Sequence, residues 1–138
     1  LRRRQYYAHP QNAFWRITGE LFGFDAHAAY RTRAASLAAS EVALWDVLKS
    51  CTRAGSLDSG ILSGSAVPND IEDFLARHPR IRRICFNGAK AEQLFLRHVQ
   101  PALARRVEIA CLRLPSTSPA HASVPFSRKL QAWRAASL

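Results

Sequence analysis

Three short runs rich in apolar residues divide this chain, and amphipathic stretches lie between and around them. The runs are Val42–Trp45, Ile81–Phe86 and Val107–Leu112. Each is too short for a buried helix and has the length of a strand covered on both faces. Around them, apolar residues recur at helical spacing. Phe14, Ile17 and Leu21 follow Asn12, which has the character of a helix cap, and Gly23 closes that helix. A second helical stretch covers about 28–39. A third starts at Asn69 or Asp70 and runs to about Arg77, where His78-Pro79 stops it. The fourth spans Ala89–Val99. The fifth spans Phe126–Ala136, with Leu130 and Trp133 inward. Strands alternating with helices predict an α/β fold, with a parallel sheet and helices on both faces. In such sheets ligands gather beyond the carboxyl ends of the strands. That rule directs attention to Asp46, to Asn87 and to the loop after Leu112.

The chain has 138 residues, enough for one domain with a substantial core, and residues 1–138 are read as one. Basic residues outnumber acidic ones by 20 to 10, for a formal net charge of +10. The excess, mostly arginine, favours a polyanionic partner such as nucleic acid, although it also serves solubility. The cysteines Cys51, Cys85 and Cys111 lack CxxC spacing, so neither a zinc site nor a disulfide framework is expected. Reduced thiols fit a cytoplasmic protein. No apolar run reaches membrane-spanning length, and no signal-peptide pattern is visible. No cofactor is expected. The chain contains no Met and opens mid-pattern at Leu1-Arg2-Arg3-Arg4, which points to a missing natural N-terminus.

Four segments could carry chemistry. Tyr6-Tyr7-Ala8-His9-Pro10-Gln11-Asn12-Ala13-Phe14-Trp15 gathers four aromatic rings, a His and an Asn at one helix start. It reads either as a hydrophobic entry loop with a capping Asn, or as a pocket for an extruded base. In the pocket reading a ring supplies a stacking face, and the Asn amide orients a water or reads a base edge. Leu114-Pro115-Ser116-Thr117-Ser118-Pro119-Ala120-His121-Ala122 follows a strand. Small hydroxyl residues let backbone approach a phosphate there, and prolines stiffen the loop; a plain Ser/Pro loop has the same composition. Asp46, closing an apolar run, is either a turn cap or an acceptor for an N–H of a bound base. Phe86-Asn87-Gly88-Ala89-Lys90-Ala91 reads as a tight strand-to-helix turn with a helix N-terminus behind it.

In this order, QYYAHPQNAFW, ALWDVLKSC with GSLDS, FNGAKA and LPSTSPAHA resemble the uracil-DNA glycosylase superfamily, and within it the DNA-deoxyinosine (hypoxanthine) glycosylase branch. The resemblance runs from Gln5 to Trp133. It implies a three-layer α/β/α fold around a four-stranded parallel sheet. Its first strand and Gly-Ser-x-Pro-Gly loop have no counterpart here, so the expectation is an N-terminally truncated member with a shorter sheet.

The resemblance also implies roles. Asn12 corresponds to the residue that positions the attacking water, and His121 would stabilise the leaving base or contact phosphate. Tyr7 corresponds to the ring that stacks on the flipped base, with Phe14, Asp46 and Asn87 also around the base. His9, Ser116, Thr117 and Ser118 would contact DNA. No Lys stands in a matching position for Schiff-base chemistry, so the implied enzyme is a monofunctional glycosylase. It would act as a monomer in base excision repair, releasing hypoxanthine, or uracil from mismatches.

Two other readings compete with it. A non-catalytic nucleic-acid-binding α/β domain would suit the charge, but would not explain why unusual residues gather at strand ends. A hydrolase using Ser116 and His121 lacks both a G-x-S-x-G elbow and an evident acid partner.

Overall fold

The computed structural model describes residues 5–50, 67–103, 109–121 and 123–137. Five α-helices and two short sheets make up the described part. In chain order these are α1 (Phe14–Phe22), α2 (Tyr30–Ala39), β1 (Leu48–Ser50), β2 (Val67–Pro68), α3 (Ile71–Arg77), β3 (Arg83–Asn87), α4 (Ala89–His98), β4 (Ala110–Leu114) and α5 (Phe126–Trp133). The fold is α/β, as expected. β3 and β4 form a short parallel sheet, joined through α4. The Ala110 amide donates to the Arg82 carbonyl at 3.0 Å, which sets the starts of the two strands side by side.

The chain divides into two compact units. Residues 1–44 and 114–138 form the first, and residues 45–113 form the second. The first unit is organised by α1. Its N-terminus is shaped by Asn12, whose Oδ1 accepts from the Phe14 amide at 2.9 Å. The cap position itself falls on Ala13, one residue later than the sequence pattern suggests. Asn side chains readily accept from the amide two residues on, and this turn starts the helix just as a cap would. At the other end Gly23 takes φ 77°, and both its amide and that of Phe24 donate to the Gly19 carbonyl. α1 buries Phe14, Trp15, Ile17, Thr18 and Gly19, and it packs on α2 and α5. Trp133 of α5 meets Phe14 edge-on at 5.8 Å between centroids. Trp15 does the same with Phe24 and Tyr30, and its Nε1–H donates to the Tyr6 carbonyl at 2.9 Å.

The second unit is built on an ordinary apolar core. Leu75 of α3, Phe86 of β3, Phe95 and Val99 from the α4 region, and Leu103 are buried together, with Ile71, Ile81 and Ile84 packed against them. Side chains of this kind contribute about 1.5–3 kcal/mol each when fully buried. Asp70 caps α3 by accepting from the Asp73 amide at 3.0 Å.

Three expectations change. Val42–Trp45 is not a strand, and Trp45 is 44% exposed, lying against the Phe74 ring. The first strand pairing comes at Leu48–Ser50, antiparallel with Val67–Pro68. An apolar run becomes a strand only where a backbone partner meets it. Asp46 is therefore exposed and precedes β1, instead of closing a strand. The expected third strand starts at Ala110, with Ile109 outside it, and extends to Leu114; Val107 and Glu108 lie outside the described residues. The last helix ends at Trp133 and tightens into a 3-10 turn over Arg134–Ser137. The Ser/Gly-rich stretch containing Cys51 also lies outside the described residues.

Candidate active site

The first unit joins two segments from opposite ends of the chain. The Ala13 amide donates to the Thr117 carbonyl at 3.0 Å. That bond ties the Asn12 turn directly to the loop after β4. Both sides are held locally as well. On one side the Asn12 amide donates to the His9 carbonyl at 2.9 Å, and the Gln11 amide donates to His9 Nδ1 at 3.1 Å. With Nδ1 accepting, the neutral imidazole carries its proton on Nε2. On the other side Ser116 Oγ accepts from the Ser118 amide at 3.1 Å, and Ser118 Oγ accepts from the Ala120 amide at 3.2 Å. Trp133 Nε1–H anchors the loop from below by donating to the Pro115 carbonyl at 2.8 Å.

This wiring has a chemical consequence. A serine hydroxyl that accepts from a backbone amide still has its own O–H to donate. Ser116 and Ser118 thus present two prearranged donors suited to an anionic oxygen. Thr117 differs from its neighbours. The residue is only 1% exposed, so most of it belongs to the framework under the loop where DNA contact was expected, although it also borders the groove beside Ser118. His121 ends the short 3-10 turn Pro119–His121, and its side chain lies outside the described residues.

The aromatic residues form a graded stack. Phe14 is buried, and the half-buried Tyr7 lies over it at 4.2 Å between centroids, 25° from parallel. Tyr7 holds φ 56°, a left-handed conformation uncommon for a bulky residue. Such strain persists only where surrounding contacts enforce it. Here the ring stacking with Phe14 and the tilted contact with Tyr6 supply that constraint.

A groove of about 310 Å³ runs along the tied segments, lined among others by Gln11, Ala13, Ser118 and Phe126. Arg16 and Lys129 line it too, and neither belongs to the four segments singled out in the sequence. Lys129 did leave a signal. Phe126, Leu130 and Trp133 mark the apolar side of α5, and Lys129 interrupts that side.

The other two expected site residues belong to the second unit. Asn87 is half-buried and ends β3, and Gly88 turns into α4 with φ 98°. The exposed Asp46 is fixed through its backbone, its carbonyl accepting from Asn69 Nδ2 at 2.7 Å. Cys85 and Cys111 are free thiols on β3 and β4. Desolvation pushes both above the ordinary thiol value, with Arg83 opposing at Cys85 and Glu92 adding at Cys111. Neither is an activated nucleophile. Among the described residues no cluster of His, Cys, Asp and Glu is large enough to hold a metal ion, and no helix is long and apolar enough to cross a membrane.

No family model matches the sequence. Individual relatives do. A hypoxanthine DNA glycosylase of Methanosarcina acetivorans is 35% identical over 136 residues, covering 98% of this chain and 80% of the relative. This chain belongs to the hypoxanthine DNA glycosylase family. A Methanosarcina barkeri protein of the same name is 35% identical over 92 residues, which are 66% of this chain and 57% of that protein. The solution NMR structure of a candidate uracil DNA glycosylase from Methanosarcina acetivorans superposes with a TM-score of 0.76 at 35% identity, covering 96% of this chain and 78% of that one. The likeness therefore extends over nearly the whole chain in fold as well as sequence, and it places the family within the uracil-DNA glycosylase superfamily.

Proposed function

We propose that this family member is a monofunctional DNA glycosylase that hydrolyses the N-glycosidic bond of a deaminated base, with hypoxanthine as the principal lesion and uracil in mismatches as a second. One observation carries the reading. The Ala13–Thr117 hydrogen bond puts the Asn12 turn and the Ser116–Ser118 loop on one continuous surface, so a base and its flanking phosphate can be engaged together.

The roles follow from the chemistry of each group. Basic side chains, on a chain of net charge +10, draw in the DNA backbone without regard to sequence. Ser116 and Ser118 donate their O–H groups to phosphate oxygens beside the lesion, His9 adds a contact from the neighbouring turn, and Thr117 keeps the loop in place. A mispaired nucleotide is cheaper to unstack, and its extruded base is received against Tyr7, with Phe14 as the support behind that ring. The resemblance assigns the reading of a base edge to Asp46 and Asn87, a carboxylate being an acceptor for an N–H of hypoxanthine or uracil.

The bond between C1′ and the base nitrogen then breaks, and the electron pair leaves with the base. Asn12 holds the water whose oxygen forms the new bond to C1′. Its Oδ1 keeps one lone pair beyond the bond to Phe14, and its Nδ2 carries two donors. The water's proton passes to solvent, the departing base is protonated, and His121 stabilises it as it leaves. The product is an abasic site in an unbroken strand, and no cofactor takes part.

The test is a panel of duplexes carrying inosine, uracil or xanthine opposite each normal base, scored for alkali-labile abasic sites. Base release from inosine, with no strand cleavage before alkali, is expected. Tight binding to every duplex with no base released from any of them would sink the reading and leave a non-catalytic DNA-binding domain.

A further inference from the structure

Lys129 is one of the most deeply placed charged groups among the described residues. It is 5% exposed, yet it lines the groove beside Ser118. Its own amide is spent in the first turn of α5, donating to the Pro125 carbonyl. No carboxylate, carbonyl or hydroxyl partner meets its side chain among the described residues. The residue as a whole is covered by its neighbours, and none of the groove's lining residues is acidic, so an anion entering the groove meets no opposing charge there.

The second cation of the groove is positioned by a different device. The Arg16 guanidinium lies over the Phe126 ring, 4.5 Å from its centroid, which fixes it at the groove wall. Phe126 is also the first residue of the eight-residue helix α5, whose first turn holds no acidic side chain. The partial positive end of that helix thus adds to the same field. Two cations, a helix start and the Ser118 hydroxyl converge on one concave space of about 310 Å³.

We propose that this groove is a phosphodiester site, in which Lys129 and Arg16 bind one DNA backbone phosphate next to the one held by the serine loop. The proposal rests on the glycosylase reading for the identity of the polyanion, but its chemistry stands apart from base release. Lys129 supplies one charge, and Arg16, held over the Phe126 ring, supplies the second. Together they pin the backbone beside the serine loop while the nucleotide rotates out.

The experiment measures binding of undamaged duplex as a function of salt for the full chain and for Lys129→Met, Lys129→Arg and Arg16→Gln. Met matches the length of the lysine stem and keeps the burial. Arg16 is exposed, so its variant removes a charge without opening the core. For Lys129→Met and for Arg16→Gln, the slope of log affinity against log salt should become shallower by about 0.9, the loss of roughly one phosphate contact. Affinity at low salt should fall several-fold, and Lys129→Arg should restore most of both.

Unchanged slopes in Lys129→Met and Arg16→Gln would overturn the proposal. So would saturable shifts of the Ser118 and Lys129 amide resonances with inorganic phosphate alongside unaltered duplex binding, since the site would then serve free phosphate. If no base is released from any lesion and the slopes still change, the glycosylase reading fails and the phosphodiester site stands.

Discussion

The two units of this molecule solve the folding problem with different means. The second, residues 45–113, relies on an aliphatic and phenylalanine core under a strand–helix–strand passage. Its polar residues mostly serve caps and turns. The first unit, residues 1–44 and 114–138, relies on aromatic edges and on side chains bonded to backbone, two of them at a distance (Trp15 to Tyr6, Trp133 to Pro115) and one locally (Asn12 to Phe14). Apolar packing is tolerant of shape, whereas directional bonds fix positions to tenths of an ångström. The unit proposed to hold a water and a phosphate in register is the one wired by directional bonds.

The sharpest way to break that contrast is at Asn12, where one side chain is proposed to serve both wiring and chemistry. Asn12→Ala removes the Oδ1 acceptor and the amide together. Base release should fall about a hundredfold or more, and stability should fall by about 1 kcal/mol for the lost cap-like bond. Asn12→Asp keeps an oxygen for the Phe14 amide, at a helix start where negative charge is favourable. Its stability should match the parent while base release stays low. Single-turnover rates on an inosine duplex, beside urea midpoints, separate the two roles. An Asp variant with parental activity would mean that Asn12 merely starts a helix.

A steric test comes next. A Cβ at Gly19 would lie 2.8 Å from the Phe24 carbonyl oxygen, a backbone atom already fixed by the Phe24 amide bonding back to Gly19. Gly19→Ala should cost about 1–3 kcal/mol, because neither strand of the turn can give way. At Gly23 the same added methyl meets nothing within 4 Å, and only the left-handed φ of 77° is strained. Gly23→Ala should therefore cost about 1 kcal/mol, the ordinary penalty of a Cβ in that region. Equal losses at the two glycines, read from thermal or urea unfolding, would show that the α1–Phe24 corner is looser than its geometry indicates.

Much of this was legible in the residues. The α/β alternation, α1 through α5 and the strands after Arg80 follow from apolar period and punctuation, and each lies within a few residues of its expected place. The pairing of QYYAHPQNAFW with LPSTSPAHA was legible through resemblance. What escaped has physical reasons. Val42–Trp45 has strand composition, but a strand needs a ladder partner, and the partner Val67–Pro68 meets Leu48–Ser50 instead. Thr117 looks like its serine neighbours in sequence, and only tertiary structure reveals that it is the buried one of the three. Tyr7 carries a positive φ that no residue preference announces, and its ring stacks on Phe14. Lys129 is inconspicuous in the sequence, since a lysine on a helix is usually solvated, although its spacing from Phe126 and Trp133 places it on the inner side.

The smallest effects sharpen the contrast most finely, because the two units offer nearly matched bonds. In the first, Trp133 Nε1–H donates to the Pro115 carbonyl at 2.8 Å in a part-buried setting. In the second, Asn69 Nδ2 donates to the Asp46 carbonyl at 2.7 Å in an exposed one. Length alone would rank them equal. Burial decides otherwise: a carbonyl stripped of its donor away from water bears its desolvation, whereas an exposed one is rehydrated. Trp133→Phe keeps an aromatic ring against Phe14 and should cost about 1–2 kcal/mol. Asn69→Ala should cost within about 0.5 kcal/mol. The Trp133 variant should also slow base release several-fold, since Pro115 directly precedes the serine loop, and added salt should not restore the rate. If the Asn69 change proves the more costly, the directional bonds that matter lie in the second unit, and the division of labour drawn between the two halves is wrong.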